Sequence, residues 1–434
     1  MSPPAELRRA GSRLRQVRSV AMVSSGNFLE MYDFMVFGYY ASAISKAYFP
    51  TGTEFGSLML TLMTFGAGFL MRPVGALLLG AYIDRHGRRK GLILTLALMA
   101  LGTLIIAATP GYASIGVAAP LLVVAGRLVQ GLSAGVEIGG VSIYLAEIAT
   151  PGRKGFYVAW QSASQQVAVM FAAGIGLVTN ALLSKEDVAA WGWRIPFVVG
   201  CLLVPFLLLM RRNLEETAVF KAQLVRPDLR TVCRSLAANW LLVLRGTMLV
   251  ITTTVFFYMI TAYTPTYGNT VLHLGAQASF TVTLCVGLVN FIMLPLSGAL
   301  SDRIGRLPLL LGVSLLGLLT GYPLMHWLVA EPSFERLMSV LLFFGVVFGA
   351  YNGAMVVFLT EIMPAQVRTS GFSLAYSLAT GLFGGFTPAI ATYLIGATGD
   401  RAIPGAWLMA AALIGLCSAL SFAIGRRRQL LAAG

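Results

Sequence analysis

Five ionisable side chains lie inside stretches of sequence that are otherwise apolar, and these residues are the most able to do chemistry. They are Glu30, Asp33, Arg72, Arg127 and Glu137. A charge near the centre of a bilayer costs about 2.5–3.5 kcal/mol on insertion scales. Five such groups in one half of the chain are therefore expected to face a cavity or one another.

Two of the acids and one amide share one side of the first apolar stretch. Asn27, Glu30 and Asp33 are spaced three residues apart, which aligns them along a slanting stripe of a helix. Because two carboxylates within one turn repel when both are ionised, one of them can hold a proton near neutral pH. The stripe predicts substrate contact at Asn27 and proton coupling at Glu30 and Asp33. The alternatives are an acid paired permanently with an arginine, or a sodium ion held by these oxygen atoms.

Arg127 stands in the middle of the fourth apolar stretch. Its planar guanidinium suits a carboxylate, which could belong to a substrate or to the protein. Glu137 lies about 15 Å further along a helix axis and roughly 80° around it, so the two cannot meet within one helix. We expect Arg127 to contact substrate and Glu137 to have a structural or coupling role. Arg72 precedes Pro73, which frees a backbone carbonyl for the arginine to satisfy, and this favours a structural role.

Neutral polar side chains occupy corresponding depths in the later apolar stretches. Gln161 and Gln165 share one helix face, and Tyr258 and Thr261 continue a stripe that ends before a proline. Further isolated polar groups are Asn290, Tyr351 and Asn352. Each of these alone is more often structural, since hydroxyl groups also bond their own helix backbone. Together they predict a site at mid-membrane between two halves, charged on one wall, for a small carboxylate.

Composition fixes the class of protein. Hydrophobic residues make up 57% of the 434 residues and charged residues only 11%, against about 25% charged in soluble domains. The net charge of +14 is concentrated in the terminal segments and alternate loops, without a basic stripe interleaved with aromatics, so nucleic acid is not an expected partner. The four cysteines have no paired spacing, and no cofactor, metal site or enzyme motif is expected.

The predicted architecture is all-α, with twelve spans crossing the lipid bilayer. The spans cover 19–48, 56–83, 90–109, 115–147, 155–183, 193–212, 239–267, 277–300, 308–329, 336–362, 369–397 and 404–425. We divide the chain into a six-helix bundle at 1–212, a cytoplasmic linker at 213–238 and a second bundle at 239–434. The distribution of basic residues places both termini in the cytoplasm.

One short motif recurs at the same place in each half. GAYIDRHGRRK begins at Gly80, and GALSDRIGRLP begins at Gly298. A second pair of related segments ends in Glu147 and Glu361, whose carboxylates could make gating contacts or simply cap helices. The repeats indicate two pseudo-symmetric bundles, as in transporters that rock about a central site.

These turns resemble the signature loops of the major facilitator superfamily over the whole chain. SGNFLEMYDF, GRLVQGLSAGVEIGG, WQSASQQ and WGWRIPF are similar to its metabolite:proton symporter family, and YTPTYG and AYNGAM to bacterial citrate and tricarballylate symporters. The resemblance implies a monomer in the bacterial inner membrane that imports a tricarboxylate with protons by alternating access. It also implies gating by the two motifs, through Asp84, Arg85, Arg88, Asp302 and Arg303. The second copy departs from the pattern at Leu307 and Pro308, which makes its role less secure.

Two further functions stay open at this point. One is a proton-coupled symporter for another small organic acid or a zwitterionic osmolyte. The other is uptake of a tricarboxylate assisted by sodium.

Overall fold

A computed structural model describes residues 28–86, 88–135, 137–212, 229–364 and 368–433. Within these ranges the side chains of residues 80, 81, 83–86, 88, 89, 92, 137, 206–212, 229–233 and 426–433 lie outside the description. The described chain is helical almost throughout, and no strand occurs in it.

The first half consists of five long helical spans after an opening pair of short helices. Its helices are α1 (Phe28–Tyr39), α2 (Ala41–Tyr48), α3 (Glu54–His86), α4 (Arg88–Ala108), α5 (Tyr112–Ile115), α6 (Ala118–Ala134), α7 (Glu137–Ile148), α8 (Lys154–Leu182), α9 (Lys185–Ala190) and α10 (Ile195–Arg212). A single 3₁₀ turn, Gly192–Arg194, precedes α10.

The second half has the same plan. Its helices are α11 (Leu229–Ala238), α12 (Trp240–Ile260), α13 (Thr264–Thr266), α14 (Ala276–Ile304), α15 (Arg306–Ala330), α16 (Phe334–Ile362), α17 (Arg368–Ala379), α18 (Thr387–Thr398) and α19 (Pro404–Ala433). The π-helical turn Tyr267–Val271 directly follows α13, which contains Pro265. The π-helical turn Thr380–Gly384 precedes α18, which contains Pro388.

Each of the twelve predicted spans corresponds to helix in the structure. Within the described residues, nine helices are long and apolar enough to cross a membrane by length and composition. The remaining three spans are α1 with α2, which part at Tyr40, and the shorter apolar helices Ile93–Ala108 and Gly192–Pro205. The first predicted span was extended to residue 19, and its beginning lies outside the described residues.

Glycine sets the closest contacts between helices. A Cβ placed on Gly131 of α6 would lie 1.6 Å from the carbonyl oxygen of Gly68 on α3. A Cβ on Gly75 of α3 would likewise lie 1.9 Å from the carbonyl oxygen of Leu132. Neither position tolerates a side chain, so α3 and α6 touch backbone to backbone, as small residues allow in membranes.

The two halves meet mainly along α8 and α14. Gly155 and Gly298 face each other across this boundary, and a Cβ on Gly155 would lie 2.3 Å from the carbonyl oxygen of Gly298. Of the predicted linker, residues 213–228 lie outside the description and Leu229–Ala238 forms α11. The bundle boundaries at 212 and 239 stay predictions.

Candidate substrate and coupling site

A small cavity lies between the two halves. Its volume is about 10 Å³, room for roughly one water molecule. The first half lines it with Met31, Arg72, Ile138, Ser162 and Gln165, and the second with Thr253, Thr254, Phe257, Tyr258, Phe348, Asn352, Tyr376 and Thr380. The boundary between the bundles therefore holds a buried guanidinium among amides and hydroxyls.

Arg72 is the charged group of this cavity. Only 2% of its surface is exposed, and its Nη2 donates to Oε1 of Glu30, which is itself buried. The guanidinium carbon also lies 5.0 Å from the centre of the Phe69 ring and 5.3 Å from that of Phe34. This pair matches the alternative given above for the α1 acids, an acid paired with an arginine, whereas Arg72 itself was predicted to satisfy a carbonyl freed by Pro73. The α1 stripe and α3 are thereby joined by opposite charges in a buried site.

Several donors at this cavity have no hydrogen-bond partner among the described residues. They are Nε of Arg72, Nε2 of Gln165 and Oγ1 of Thr380. Because buried polar atoms are nearly always hydrogen-bonded, such a cluster is the geometry expected of a binding site for an acceptor-rich ligand. This cluster combines donors from both halves of the chain.

The second half contributes neutral groups of fixed orientation. Thr253 donates to Oδ1 of Asn352 over 2.9 Å, which directs the amide nitrogen of Asn352 away from this bond. Tyr258 is 2% exposed and packs edge-on against Phe69, with ring centres 5.1 Å apart. Gln165, Tyr258 and Asn352 are three of the predicted substrate-binding residues, and the structure brings them to one cavity.

Asp33 lies deeper in the first half and is fully buried. Its Oδ2 is hydrogen-bonded to the hydroxyl of Thr103 on α4, and its Oδ1 has no partner among the described residues. A Cβ on Gly200 of α10 would lie 2.9 Å from Oδ1, so this glycine leaves space for the carboxyl group. The position suits a group that gains and loses a proton out of contact with bulk water.

Arg127 is also fully buried, but it is not among the residues that line the cavity. Its Nη1 donates to Oε1 of Gln130 over 2.7 Å. Its guanidinium carbon lies 4.4 Å from the ring centre of Phe34 and 4.5 Å from that of Phe37, within range of cation–π attraction. Its predicted contact with substrate stays a prediction, and of the two arginines it is Arg72 that lines the cavity.

The other predicted substrate residues are dispersed. Gln161 accepts a bond from Ser162 over 2.8 Å, and Asn290 donates to Gln166 across the boundary between the halves over 3.3 Å. Thr261 bonds the carbonyl of its own helix at Phe257. The hydroxyl of Tyr351 donates to the carbonyl of Leu249 over 3.0 Å inside the second bundle. Asn27 lies outside the described residues, and so does the side chain of Glu137.

One of the two repeated motifs forms a direct contact between the halves. The carboxylate of Asp302 accepts the backbone amides of Gly155 and Phe156, at 2.8 and 3.0 Å, at the N-terminus of α8. Arg306 holds this carboxylate at 2.7 Å and reaches Glu361 at 3.2 Å. Arg303 is exposed, and its gating role stays a prediction. The side chains of Asp84, Arg85 and Arg88 lie outside the description.

The opposite end of the boundary is closed by aromatic packing. The ring of Phe280, at the start of α14, lies 5.6 Å from the ring of Tyr39 and 5.9 Å from that of Tyr40. It covers Gly176, where a Cβ would lie 2.5 Å from the ring. Asp302 and Phe280 thus make contacts between the halves on opposite sides of the cavity.

Comparison with known proteins identifies the fold family. A family model described as sugar (and other) transporter matches residues 19–425. The chain belongs to this transporter family. It is 57% identical to the citrate-proton symporter of Salmonella typhi, over 98% of each chain. It is 56% identical to the citrate-proton symporter of Klebsiella pneumoniae, over 92% of this chain and 90% of the relative.

A solved structure with the same fold is that of a D-xylose-proton symporter. It superimposes with a TM-score of 0.75 at 18% identity, over 94% of this chain and 96% of the other. The predicted major facilitator fold, and the prediction that the transporter is not an enzyme, are confirmed. The protein is a multi-pass membrane transporter.

Three residues that take part in these contacts, Thr103, Gln130 and Arg306, were not among the predicted site residues. Two of them had a signal in the sequence: Gln130 stands three residues after Arg127, on the same helix face. Arg306 occupies the place of Arg88 in the second copy of the motif.

Proposed function

We propose that this transporter imports citrate, or a similar tricarboxylate such as tricarballylate, together with protons by alternating access. The observation that carries the proposal is the cavity between the halves, where Arg72 and unpartnered donors of Gln165 and Thr380 converge. A tricarboxylate offers many acceptor oxygens and negative charge, which this set of donors would satisfy. The 57% identity to a citrate-proton symporter supports the same substrate class.

Arg72 is the proposed anchor for a substrate carboxylate. A guanidinium carries five N–H donors in a planar fork, and Glu30 occupies only part of this fork. A substrate carboxylate would compete with Glu30 for Arg72, so binding would weaken the ion pair. Gln165, Tyr258 and Asn352 would hold the rest of the substrate. The cavity must widen for this, since about 10 Å³ holds no tricarboxylate.

The two acids of α1 are the proposed coupling groups. When a substrate carboxylate binds Arg72 in place of Glu30, Glu30 loses its ion pair with Arg72 and is favoured to take up a proton. Asp33, buried beside Thr103, provides a second position for a proton. Arg127 would act on the charge of Asp33 and would not bind substrate at the cavity wall.

Alternating access would proceed by opening one closed end at a time. The end that carries Asp302 also carries Arg153, Lys154, Arg303 and Arg306, and the positive-inside rule favours the cytoplasm for such an end. We infer that both termini are cytoplasmic and that the membrane is the bacterial inner membrane. A single chain supplies both walls of the cavity, which supports a monomer as the working unit.

The direct test is uptake of radiolabelled citrate into proteoliposomes under an imposed pH gradient, acid outside. We expect accumulation that collapses with a protonophore and persists when choline replaces sodium. Arg72→Lys keeps the charge but loses the planar fork, so it should raise KM with little change in folded yield. The proposal fails if citrate and tricarballylate are not accumulated, or if betaine, proline or 2-oxoglutarate competes better than citrate.

A further inference from the structure

The hydroxyl of Thr103 touches three polar groups at once. It is hydrogen-bonded to Oδ2 of Asp33, it receives the Nε2 of Gln130 at 3.0 Å, and it lies 3.0 Å from the backbone carbonyl of Met99. Thr103 and Gln130 are both fully buried. This arrangement connects α1, α4 and α6 through one side-chain oxygen.

The numbers of donors and acceptors on these groups limit how the hydrogen bonds of Thr103 can be arranged. A threonine hydroxyl has one hydrogen to donate and two lone pairs that accept. Arg127 donates to Oε1 of Gln130, and this fixes the amide with its Nε2 toward Thr103. One lone pair of Thr103 is therefore occupied by Gln130 whatever the state of Asp33.

The remaining hydrogen and lone pair can serve either state of Asp33. When Asp33 is ionised, Thr103 donates its hydrogen to the carboxylate. When Asp33 is protonated, the acid donates to the second lone pair of Thr103, and Thr103 turns its hydrogen to the carbonyl of Met99. In both states Thr103 keeps its hydrogen bonds to Asp33 and Gln130, and its hydrogen points to the carbonyl of Met99 only when Asp33 is protonated.

We propose that Thr103 is a positioning residue for proton coupling: with Gln130 and Arg127 behind it, its hydroxyl accommodates Asp33 both with and without a proton. The inference deepens the proposed function and rests on it. The other titratable or charged groups that interact with Asp33 are Arg127 on α6, Cys201 on α10 and Tyr32 on its own helix. Among the described residues, Thr103 is the hydrogen-bond partner found for the carboxyl group.

The test compares Thr103→Val, which keeps the shape and removes the hydroxyl, with Thr103→Ser, which retains it. Thr61→Val is the matched control, because Thr61 is equally buried in the first half and bonds only the carbonyl of Ser57 in its own helix. The measurements are citrate accumulation driven by a pH gradient, citrate exchange at equal pH, and the pH profile of uptake.

We expect Thr103→Val to lose about tenfold of gradient-driven accumulation, since the hydrogen bond to a charged group is lost, while exchange falls much less. Its pH profile should move toward higher pH, because the ionised acid loses the stronger bond. Thr103→Ser and Thr61→Val should behave like the unaltered protein.

Infrared difference spectroscopy gives a readout that does not depend on transport. The C=O band of the protonated acid, assigned by its loss in Asp33→Asn, should shift in Thr103→Val and not in Thr103→Ser. If the unaltered protein does not accumulate citrate, the proposed function fails whatever the band does. If it does accumulate citrate, but Thr103→Val matches it in accumulation and in the position of the band, the role of Thr103 alone is refuted.

Discussion

Neutralising Asp302 should open one end of the transporter. This carboxylate is 7% exposed and accepts two backbone amides at the N-terminus of α8, so it holds the two halves together. Replacing it by asparagine preserves its size but removes the charge. It also places an amide group, which donates hydrogen bonds, opposite the donors of Gly155 and Phe156.

The size of the effect follows from these two bonds. A hydrogen bond to a charged group contributes about 1.5–3 kcal/mol, against about 0.5–1.5 kcal/mol for a neutral one. Asparagine has one acceptor oxygen, so one bond is kept in neutral form and loses about 1 kcal/mol, while the other is lost and costs about 2 kcal/mol. The attraction of the carboxylate for the positive end of the helix dipole adds to this loss. We expect Asp302→Asn to destabilise the closed end by about 3 kcal/mol, which raises the open fraction about 150-fold.

Reactivity of a buried cysteine would measure this fraction. Ala159 on α8 is 1% exposed, and a Cβ on Gly298 would lie 2.9 Å from its methyl group, so it is shielded only while the halves are in contact. Ala159→Cys, in a background in which the four native cysteines are replaced, should react with a soluble maleimide in proportion to opening. This background must first be shown to transport.

Glu361→Gln is the matched control. Glu361 binds the same arginine as Asp302 but is 33% exposed and belongs to the same half as Arg306. Its neutralisation should change the labelling rate by no more than about fivefold. Equal labelling of Asp302→Asn and the unaltered protein would refute the idea that Asp302 closes this end, as would an equally large effect of Glu361→Gln.

Three further perturbations probe other parts of the structure. Glu30→Gln or Arg72→Met alone breaks the buried ion pair between these two residues, so each should lower the free energy of unfolding by about 3–5 kcal/mol. The double variant should regain stability without regaining uptake. Equal stability of all three variants in detergent would contradict this. Gly131→Ala should abolish the folded yield because its Cβ would lie 1.6 Å from a carbonyl oxygen. Gly312→Ala is the control, because its Cβ meets nothing within 4 Å, and it should be neutral or stabilise the protein by up to about 1 kcal/mol. Size-exclusion profiles of the two variants test this. Phe280→Ala should loosen the opposite end, seen as faster hydrogen exchange at the start of α14, and unchanged exchange would show that the ring does not close this end.

The helices could be predicted from the sequence because span length and hydrophobicity depend on local composition. The interruptions of these helices were harder to predict from the sequence. The break at Tyr40 has no proline, and the π-helical turn at Thr380–Gly384 depends on how the chain packs around Gly384 and Gly385. Such features arise from tertiary contacts, which a hydropathy profile does not contain.

The site was predictable in kind but not in arrangement. Both Arg72 and Arg127 were found as membrane charges, yet which one faces the cavity depends on how α3 and α6 are rotated. That rotation is set by the glycine contacts between the two helices, notably Gly68 with Gly131. Likewise, the spacing of Glu30 and Asp33 suggested mutual repulsion, whereas the structure gives them separate partners, Arg72 and Thr103.

The backbone contact between α3 and α6 has an electrical consequence. It fastens Arg72 and Arg127 into one body, and Glu30 and Asp33 of α1 are bonded to that bundle. The two arginines and two carboxylates sum to zero when Asp33 is ionised, and to one positive charge when it is protonated. If Asp33 carries a coupled proton, as proposed, membrane voltage, which contributes about 2.3 kcal/mol per charge per 100 mV, would act on this added positive charge, and the negative charge of a bound carboxylate would oppose it.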